Sequence, residues 1–193
     1  MIYGGGIVGI EIGCVYQRLG TNVTIVQRSE RICQFLDPEI CALYVKALQD
    51  QGIKFLVNTE IMDGENKEER GIYLNMRHMV TKEEYAEKTD LVLISIGRHP
   101  KTEGMDLEKA GIKTNNRGMI LTNDTWQVEK QPHIYGVGDC VKGTMLVHKA
   151  EIEAIAVVNH IAEGKGSVNY NCIPGVIYTD PEVAWVGVSE EDL

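Results

Sequence analysis

No apolar run in this 193-residue sequence approaches the roughly 20 residues needed to cross a bilayer. The first residues hold no basic stretch followed by an apolar one, and none of the Arg/Ser-rich amphipathic character of an organelle transit peptide. Neither targeting signal is therefore read there. Basic charge is scarce: 19 Lys and Arg stand against 28 Asp and Glu, a formal net charge of −9. That balance argues against a nucleic-acid groove, whose phosphates need a net basic surface. Five cysteines, at positions 14, 33, 41, 140 and 172, form no Cys-x2-Cys zinc knuckle and, odd in number and widely spaced, no disulfide framework. They read as free thiols in a reducing compartment, packed as buried or partly buried small apolar residues. Internal repeats and low-complexity tracts are missing as well. What is present is 44% apolar and 24% charged residues, which implies a folded soluble core and not disorder, in a length that suits one domain or pieces of two.

Both ends look cut. Met1-Ile2-Tyr3 is short for a strand of about 5–6 residues. Ser189 followed by Glu190-Glu191-Asp192 carries helix-start signals, yet the chain stops at Leu193. The chain is thus read as an internal segment of a longer polypeptide.

Between those ends the pattern is that of an α/β protein. After Gly4-Gly5-Gly6, residues Val8, Ile12, Val15 and Leu19 recur at helical spacing, and Gly20 follows as a C-cap. Val23–Val26 is a β-branched run of strand length, which completes a βαβ unit of about 30 residues. Asp37-Pro38 opens a second helix whose inner face is expected at Ile40, Leu43, Tyr44, Ala47 and Leu48, ending at Gly52. Ile53–Val57 reads as another buried strand. Asp63–Asn66 and Lys67–Arg70 look turn-like, and Ile72, Leu74 and Met76 alternate as in a short antiparallel excursion. Leu91–Ile96 is a near-continuous apolar strand of the kind covered on both faces. A boundary is expected at Gly97–Pro100. Beyond it, Met119–Leu121 and Ile134–Val137 are candidate strands, and His148–Ile161 is a helix with a stripe through Glu151, Ile155 and Val158. Pro174–Tyr178 and Val183–Val186 are two strands around Asp180-Pro181.

Two places carry chemistry. Gly4-x-Gly6-x-x-Gly9, between strand and helix, fits the dinucleotide fingerprint: a tight turn, close approach of a pyrophosphate, and close helix–strand packing. The helix start then faces the phosphates with unpaired amides. About 20 residues on, where an acid would read the ribose hydroxyls, the chain has Gln27 and then Arg28. Glutamine bonds a hydroxyl more weakly than a carboxylate does, and Arg28 either meets a 2′-phosphate or is a solvated loop residue. Glu11, in the first turns of the helix, suits the positive helix end. In the second place, Ile134–Asp139 is a strand ending in Gly-Asp, followed after Met145–Ala150 by a helix. An acid there can accept hydrogen bonds from a polyol; read alone, Asp139 equally caps a loop.

These residues resemble the flavin-dependent pyridine-nucleotide disulfide oxidoreductases, and within them most closely the dihydrolipoamide dehydrogenases, over essentially the whole chain. The resemblance rests on Gly4–Gly13 with Glu11, Gln17–Gly20, Ile94–Pro100, Ile134–Asp139, Met145–Glu151, Tyr170–Pro174 and Tyr178–Gly187. It implies a Rossmann-type NAD-binding domain over 1–98, the C-terminal part of an FAD-binding domain over 99–169, and the start of an α+β dimerisation domain over 170–193. It assigns Gly4, Gly6, Ile7, Val8 and Gly9 to the NAD pyrophosphate loop, Gly97 to the nicotinamide half and Ile61 to the adenine. Glu11 would stand near flavin and nicotinamide, Asp139 on the FAD ribityl chain, and Met145, Leu146, Val147 and His148 beside the flavin ring. Gln27 stands where the family has a ribose-binding glutamate, and Ile152-Glu153 departs from a more acidic pattern. FAD and NAD are the implied cofactors. A homodimer and the lipoyl-bearing proteins of 2-oxo acid dehydrogenase complexes are the implied partners, with no nucleic acid and no membrane. The implied location is the mitochondrial matrix in a eukaryote, or the cytoplasm in a bacterium, with a role in redox homeostasis.

In that family electrons pass from dihydrolipoyl thiols through a Cys-x4-Cys disulfide and FAD to NAD, and a His–Glu pair serves the thiolate. No two cysteines here have that spacing, and His133, His148 and His160 lie outside the base motif. No catalytic residue is therefore assigned within the segment, and the isolated chain is expected to be inactive. A non-catalytic nucleotide-binding or subunit-pairing short protein, or an NADPH-dependent relative, are the alternatives. Residues 99–169 are expected to expose apolar surface and strand edges that 1–98 do not.

Overall fold

The computed structural model describes residues 1–67 and 71–192. It divides into two compact units, one formed by Met1–Gly97 with Pro174–Leu193 and the other by Arg98–Ile173. The fold is α/β.

The first unit is built on a parallel sheet of β1 (Ile2–Tyr3), β2 (Thr24–Val26), β3 (Lys54–Leu56) and β7 (Leu93–Ile94), in the order β3-β2-β1-β7. Helix α1 (Ile7–Arg18) joins β1 to β2 and α2 (Pro38–Asp50) leads to β3. The termini of α2 follow the sequence. Asp37 accepts from the backbone N–H of Glu39 (2.9 Å) and Ile40 (3.3 Å), Pro38 opens the first turn, and Gly52 takes a left-handed turn at φ +99° after the last one. Gly20 ends α1 similarly, its N–H reaching the Gln17 carbonyl at 2.9 Å.

The face that α1 turns inward is not the expected one. Ile10 and Cys14 are buried with Gly9 and Gly13, whereas Val8, Ile12, Val15 and Leu19 are exposed. Close approach explains this. A Cβ at Gly9 would lie 2.2 Å from the Gly4 carbonyl oxygen, and one at Gly13 3.2 Å from Ile2 Cδ1, so the sheet-facing side must be small. In α2 the expected Tyr44 and Leu48 are buried, but Cys41 joins them while Ile40 and Leu43 are exposed. The expected strand Leu91–Ile96 pairs only at Leu93–Ile94, and Leu91, Ile94 and Ile96 are exposed. It lies at the sheet edge against β1, which itself offers two residues for pairing.

β4 (Thr59–Asn66), β5 (Ile72–His78) and β6 (Glu84–Thr89) form an antiparallel meander. Asp63–Asn66, expected as a turn, continue β4: Gly64 pairs with Leu74, and a Cβ there would stand 2.7 Å from Leu74 Cδ2. The rest of the charged stretch expected as a turn, residues 68–70, and Leu193 lie outside the described residues. Leu74 and Met76 pack with Val26 behind the sheet. The hairpin of β10 (Gly175–Ile177) and β11 (Val183–Trp185) brings Ile177, Val183 and Trp185 onto the main core of Ile2, Ile10, Ile25, Leu48 and Ile53. Tyr44 Oη and Thr179 Oγ1, 2.7 Å apart, join α2 to the hairpin.

The second unit has a short antiparallel pair, β8 (Gln127–Val128) and β9 (Gln131–Tyr135), and one long helix, α3 (Val147–Glu163), ended by Gly164 at φ +67°. Met119–Leu121 forms only an isolated bridge from Ile120 to Thr114, and the strand expected at Ile134–Val137 ends at Tyr135. Helix α3 also turns an unexpected face inward: Lys149, Glu153, Ala156 and Val157 are buried, while Glu151, Ile155 and Val158 are exposed. Among the described residues no helix is long and apolar enough to cross a membrane.

Candidate functional site

In the first unit the loop from β1 to α1 has the geometry of a phosphate cradle. Gly4 lies at φ +116°, its N–H donates to the Val26 carbonyl at 2.8 Å, and a Cβ would fall 2.0 Å from the Ser95 carbonyl oxygen. Only glycine satisfies both constraints. A Cβ at Gly6, by contrast, would meet nothing within 4 Å. That open space lies at the start of α1, where Gly6 caps the helix without any side-chain bond. The amides of the first turn have no intrahelical acceptors and lie at the positive helix end. Ile7 packs against the core and Val8 is exposed beside the loop.

Gln27, the first residue after β2, is tied to this loop: its Oε1 accepts the Gly5 N–H at 2.8 Å and its Nε2 donates to Ser29 Oγ. Arg28 Nε stands 3.4 Å from Glu60 Oε2, with the Arg28 side chain 67% exposed and that of Glu60 13%. The other Glu60 oxygen accepts two N–H groups of Arg77, one at 2.9 Å. Glu11 does not point to solvent alone; its Oε1 accepts the Tyr178 N–H at 2.8 Å, so the hairpin β10–β11 anchors it. Ile61 is half-buried on β4 beside Val26, Leu74 and Met76, and Gly97, at φ +129°, is exposed beyond β7. The structure thus joins Gly4, Gly6, Gly9 and Gln27 in one loop system, and ties Glu11 to a segment far away in sequence.

In the second unit Asp139 sits in a 3-10 turn, Gly138–Cys140, after β9. Its Oδ2 lies 3.7 Å from Arg98 Nη2 and its side chain is 44% exposed, so the carboxylate is open to a ligand. Met145, Leu146 and His148 are half-buried and Val147 is exposed at the start of α3, where Leu146 caps the helix without a side-chain bond. The sequence assigned none of the residues that hold this turn to that role, although Glu153 stood out in the departure at Ile152-Glu153. Lys149 and Glu153, both fully buried, form an ion pair at 3.2 Å on α3. Lys149 Nζ donates to the Gly138 carbonyl at 2.9 Å, and Glu153 Oε2 accepts the Gly138 N–H at 2.8 Å. Tyr170 Oη donates to Glu153 Oε1 at 2.8 Å and accepts from Trp126 Nε1 at 3.0 Å. Burial first, then the bond to Glu153, pushes the Tyr170 phenol up. Both backbone groups of Gly138 are therefore clamped by charge-assisted bonds next to Asp139. The i,i+4 spacing of Lys149 and Glu153 was the available signal, but that spacing ordinarily marks an exposed pair.

The cysteines offer no reactive thiol pair. All five are free, with Cys14, Cys33 and Cys41 buried; Cys172 is exposed, against the expectation that all five are at least partly buried. Burial pushes the Cys33 thiol from 9.0 up to about 12 and also raises Cys14 and Cys41, the opposite of an activated thiolate.

The family model described as pyridine nucleotide-disulphide oxidoreductase matches residues 1–154. The whole chain aligns with a dihydrolipoamide dehydrogenase of Chaetomium thermophilum at 45% identity, covering 38% of that protein. It aligns over its full length with the mitochondrial dihydrolipoyl dehydrogenase of Sus scrofa at 41% identity, again covering 38%. Among solved structures, the HOCl-induced flavoprotein disulfide reductase RclA from Escherichia coli superposes on 98% of the chain with a TM-score of 0.86 at 24% identity, over 42% of its own length. LpdA from Mycobacterium tuberculosis superposes on 99% with a TM-score of 0.84 at 22% identity, over 40% of its length. The chain spans about two fifths of the length of the relatives it matches.

Proposed function

The chain belongs to the pyridine nucleotide-disulphide oxidoreductase family, and we propose that it forms the NAD-binding part and one portion of the FAD site of a dihydrolipoyl dehydrogenase. The observation that carries this reading is the loop Gly4–Gly9: two glycines whose Cβ atoms would strike backbone, and a third before open space at an uncapped helix start. A pyrophosphate fits there, held by first-turn amides with no side chain in the way. Gln27 keeps the loop in shape through Gly5 and stands at the ribose position. Gly97, exposed and in a backbone conformation that side chains rarely adopt, leaves room for the nicotinamide half. Glu11, fixed by the Tyr178 N–H, holds its carboxylate still near the reacting rings.

In the second unit the accessible Asp139 carboxylate suits the hydroxyls of the FAD ribityl chain, and Met145–His148 with the start of α3 suits one edge of the flavin. When bound, FAD relays two electrons and NAD accepts them as hydride. Lys149 and Glu153 hold the Gly138 backbone, so Asp139 is presented without reorganisation. The dithiol chemistry is assigned outside this segment, because its five thiols are free and unpaired by spacing, and Cys14, Cys33 and Cys41 are buried with their thiols pushed up by burial. The hairpin β10–β11 is proposed as the start of the domain that pairs two subunits. Lipoyl-bearing proteins are the proposed electron donors, and the mitochondrial matrix is the proposed location, several relatives being named mitochondrial.

Two measurements on the 193-residue chain test this. Calorimetry is expected to show NADH binding that Gly9→Ala abolishes, and an NADH–lipoamide assay is expected to show no turnover. Robust turnover would overturn the assignment of the thiols elsewhere, and absence of NADH binding would overturn the nucleotide assignment.

A further inference from the structure

Where a dinucleotide fold reads the 2′-hydroxyl of the adenine ribose, a carboxylate does two things. It accepts from the hydroxyl, and it repels a 2′-phosphate, which also carries only acceptors and negative charge. This chain has neither feature at that position. Gln27 is neutral, and its orientation is set by the bond from the Gly5 N–H to Oε1. The amide nitrogen must therefore face the other way, toward Ser29, which takes one of its two N–H groups. An amide at this corner offers a donor to an oxygen and no repulsion to a phosphate.

The next residue adds charge of the opposite sign. Arg28 is two-thirds exposed and approaches Glu60 through Nε, at 3.4 Å. Glu60 is engaged more closely by Arg77, through two N–H groups on its other oxygen. Its single negative charge is thus divided between two guanidiniums, and the second acid beside Arg77, Glu84, stands 4.0 Å away and is exposed. Arg28 is held near the end of β2 without being neutralised, and a guanidinium in that state pairs with phosphate in a planar, two-point geometry.

We infer that Gln27 and Arg28 open the ribose corner of this site to 2′-phosphorylated nucleotides, so that it accepts NADPH as well as NADH. The inference rests on the nucleotide-site reading of the Gly4–Gly9 loop and concerns its selectivity. Gln27→Glu restores a carboxylate while keeping an acceptor for Gly5, so the loop is undisturbed. Arg28→Ala removes an exposed side chain and leaves Glu60 paired with Arg77.

The test is calorimetric titration of the 193-residue chain and these two variants with NADH and with NADPH at fixed ionic strength, with melting curves to establish that each variant is folded. In the unaltered chain the two dissociation constants are expected to lie within about tenfold of each other. Gln27→Glu is expected to weaken NADPH by about tenfold or more relative to NADH, and Arg28→Ala to weaken NADPH by about fivefold while moving NADH less than about twofold. NADH binding without measurable NADPH binding, or a ratio unmoved by both substitutions, would overturn the inference and leave the nucleotide site standing. Failure of both nucleotides to bind would overturn the site itself, and the inference with it.

Discussion

The two units solve the problem of a buried centre in opposite ways. In the first, Ile2, Ile10, Ile25, Leu48 and Ile53 fill the space between sheet and helices, and the buried polar bond among them, Tyr44 to Thr179, joins two neutral hydroxyls. In the second, apolar clusters are small, Ile120 with Val128 and Val141, and Trp126 with Ala156 and Val157. The helix α3 instead turns a lysine and a glutamate inward. Apolar burial is non-directional and tolerates adjustment; a buried charge pair stabilises only while every partner is in place. The first unit is thus stabilised by area and shape, the second by geometry centred on Gly138, and that geometry is also what presents Asp139.

The contrast is broken most severely at Lys149. Lys149→Met leaves Glu153 buried and half-paired, and about 3–5 kcal/mol of stability should be lost from the second unit alone. Hydrogen exchange should show the loss across residues 119–163 with residues 2–56 unchanged, and Lys149→Met with Glu153→Leu should recover part of it. Loss shared equally by both units would show that they do not differ in this way. In the first unit the matching substitution is Leu48→Ala, fully buried in the main core, with an expected cost of about 2–5 kcal/mol by denaturant unfolding and no effect on the second unit.

Smaller, and dependent on pH, is the contribution of buried thiols and a phenol. Cys14, Cys33, Cys41 and Tyr44 all have raised values in the folded chain, chiefly through burial. For a raised group the stability is fully present below the unfolded value and falls as pH climbs toward the folded one. For Cys33 that window runs from 9.0 to about 12. The first unit should melt at progressively lower temperature across it, as circular dichroism would register; Cys33→Ala should flatten the dependence. The smallest effect is expected on the outward stripes. Val15→Gln or Ile155→Gln should change stability by no more than about 0.5 kcal/mol, because both side chains are exposed in the chain. A large loss would mean that these faces are covered in solution.

Those stripes also mark what the sequence could and could not reveal. The glycine loop, the Asp37-Pro38 helix start, the glycine stops at 20 and 52 and the hairpin around Asp180-Pro181 were legible, because each depends on local backbone chemistry. The facing of the helices was not. Periodicity selects the more apolar side, whereas α1 meets the sheet through Gly9 and Gly13 to let backbones approach, and α3 meets its unit through an ion pair. Gln27 was legible as a departure from the dinucleotide pattern, but its bond to Gly5 was not, since that depends on where the loop folds back onto β2. Glu11 was legible as a charge at a helix start; its partner, the Tyr178 amide, is 167 residues away in sequence.

Hydrogen exchange of the 193-residue chain with and without saturating NADH addresses the nucleotide site most directly. Slowed exchange is expected at residues 5–11 and 27–29, with residues 119–163 unchanged. Protection absent from the Gly4–Gly9 loop, or confined to the second unit, would contradict the placement of the pyridine nucleotide at the start of α1.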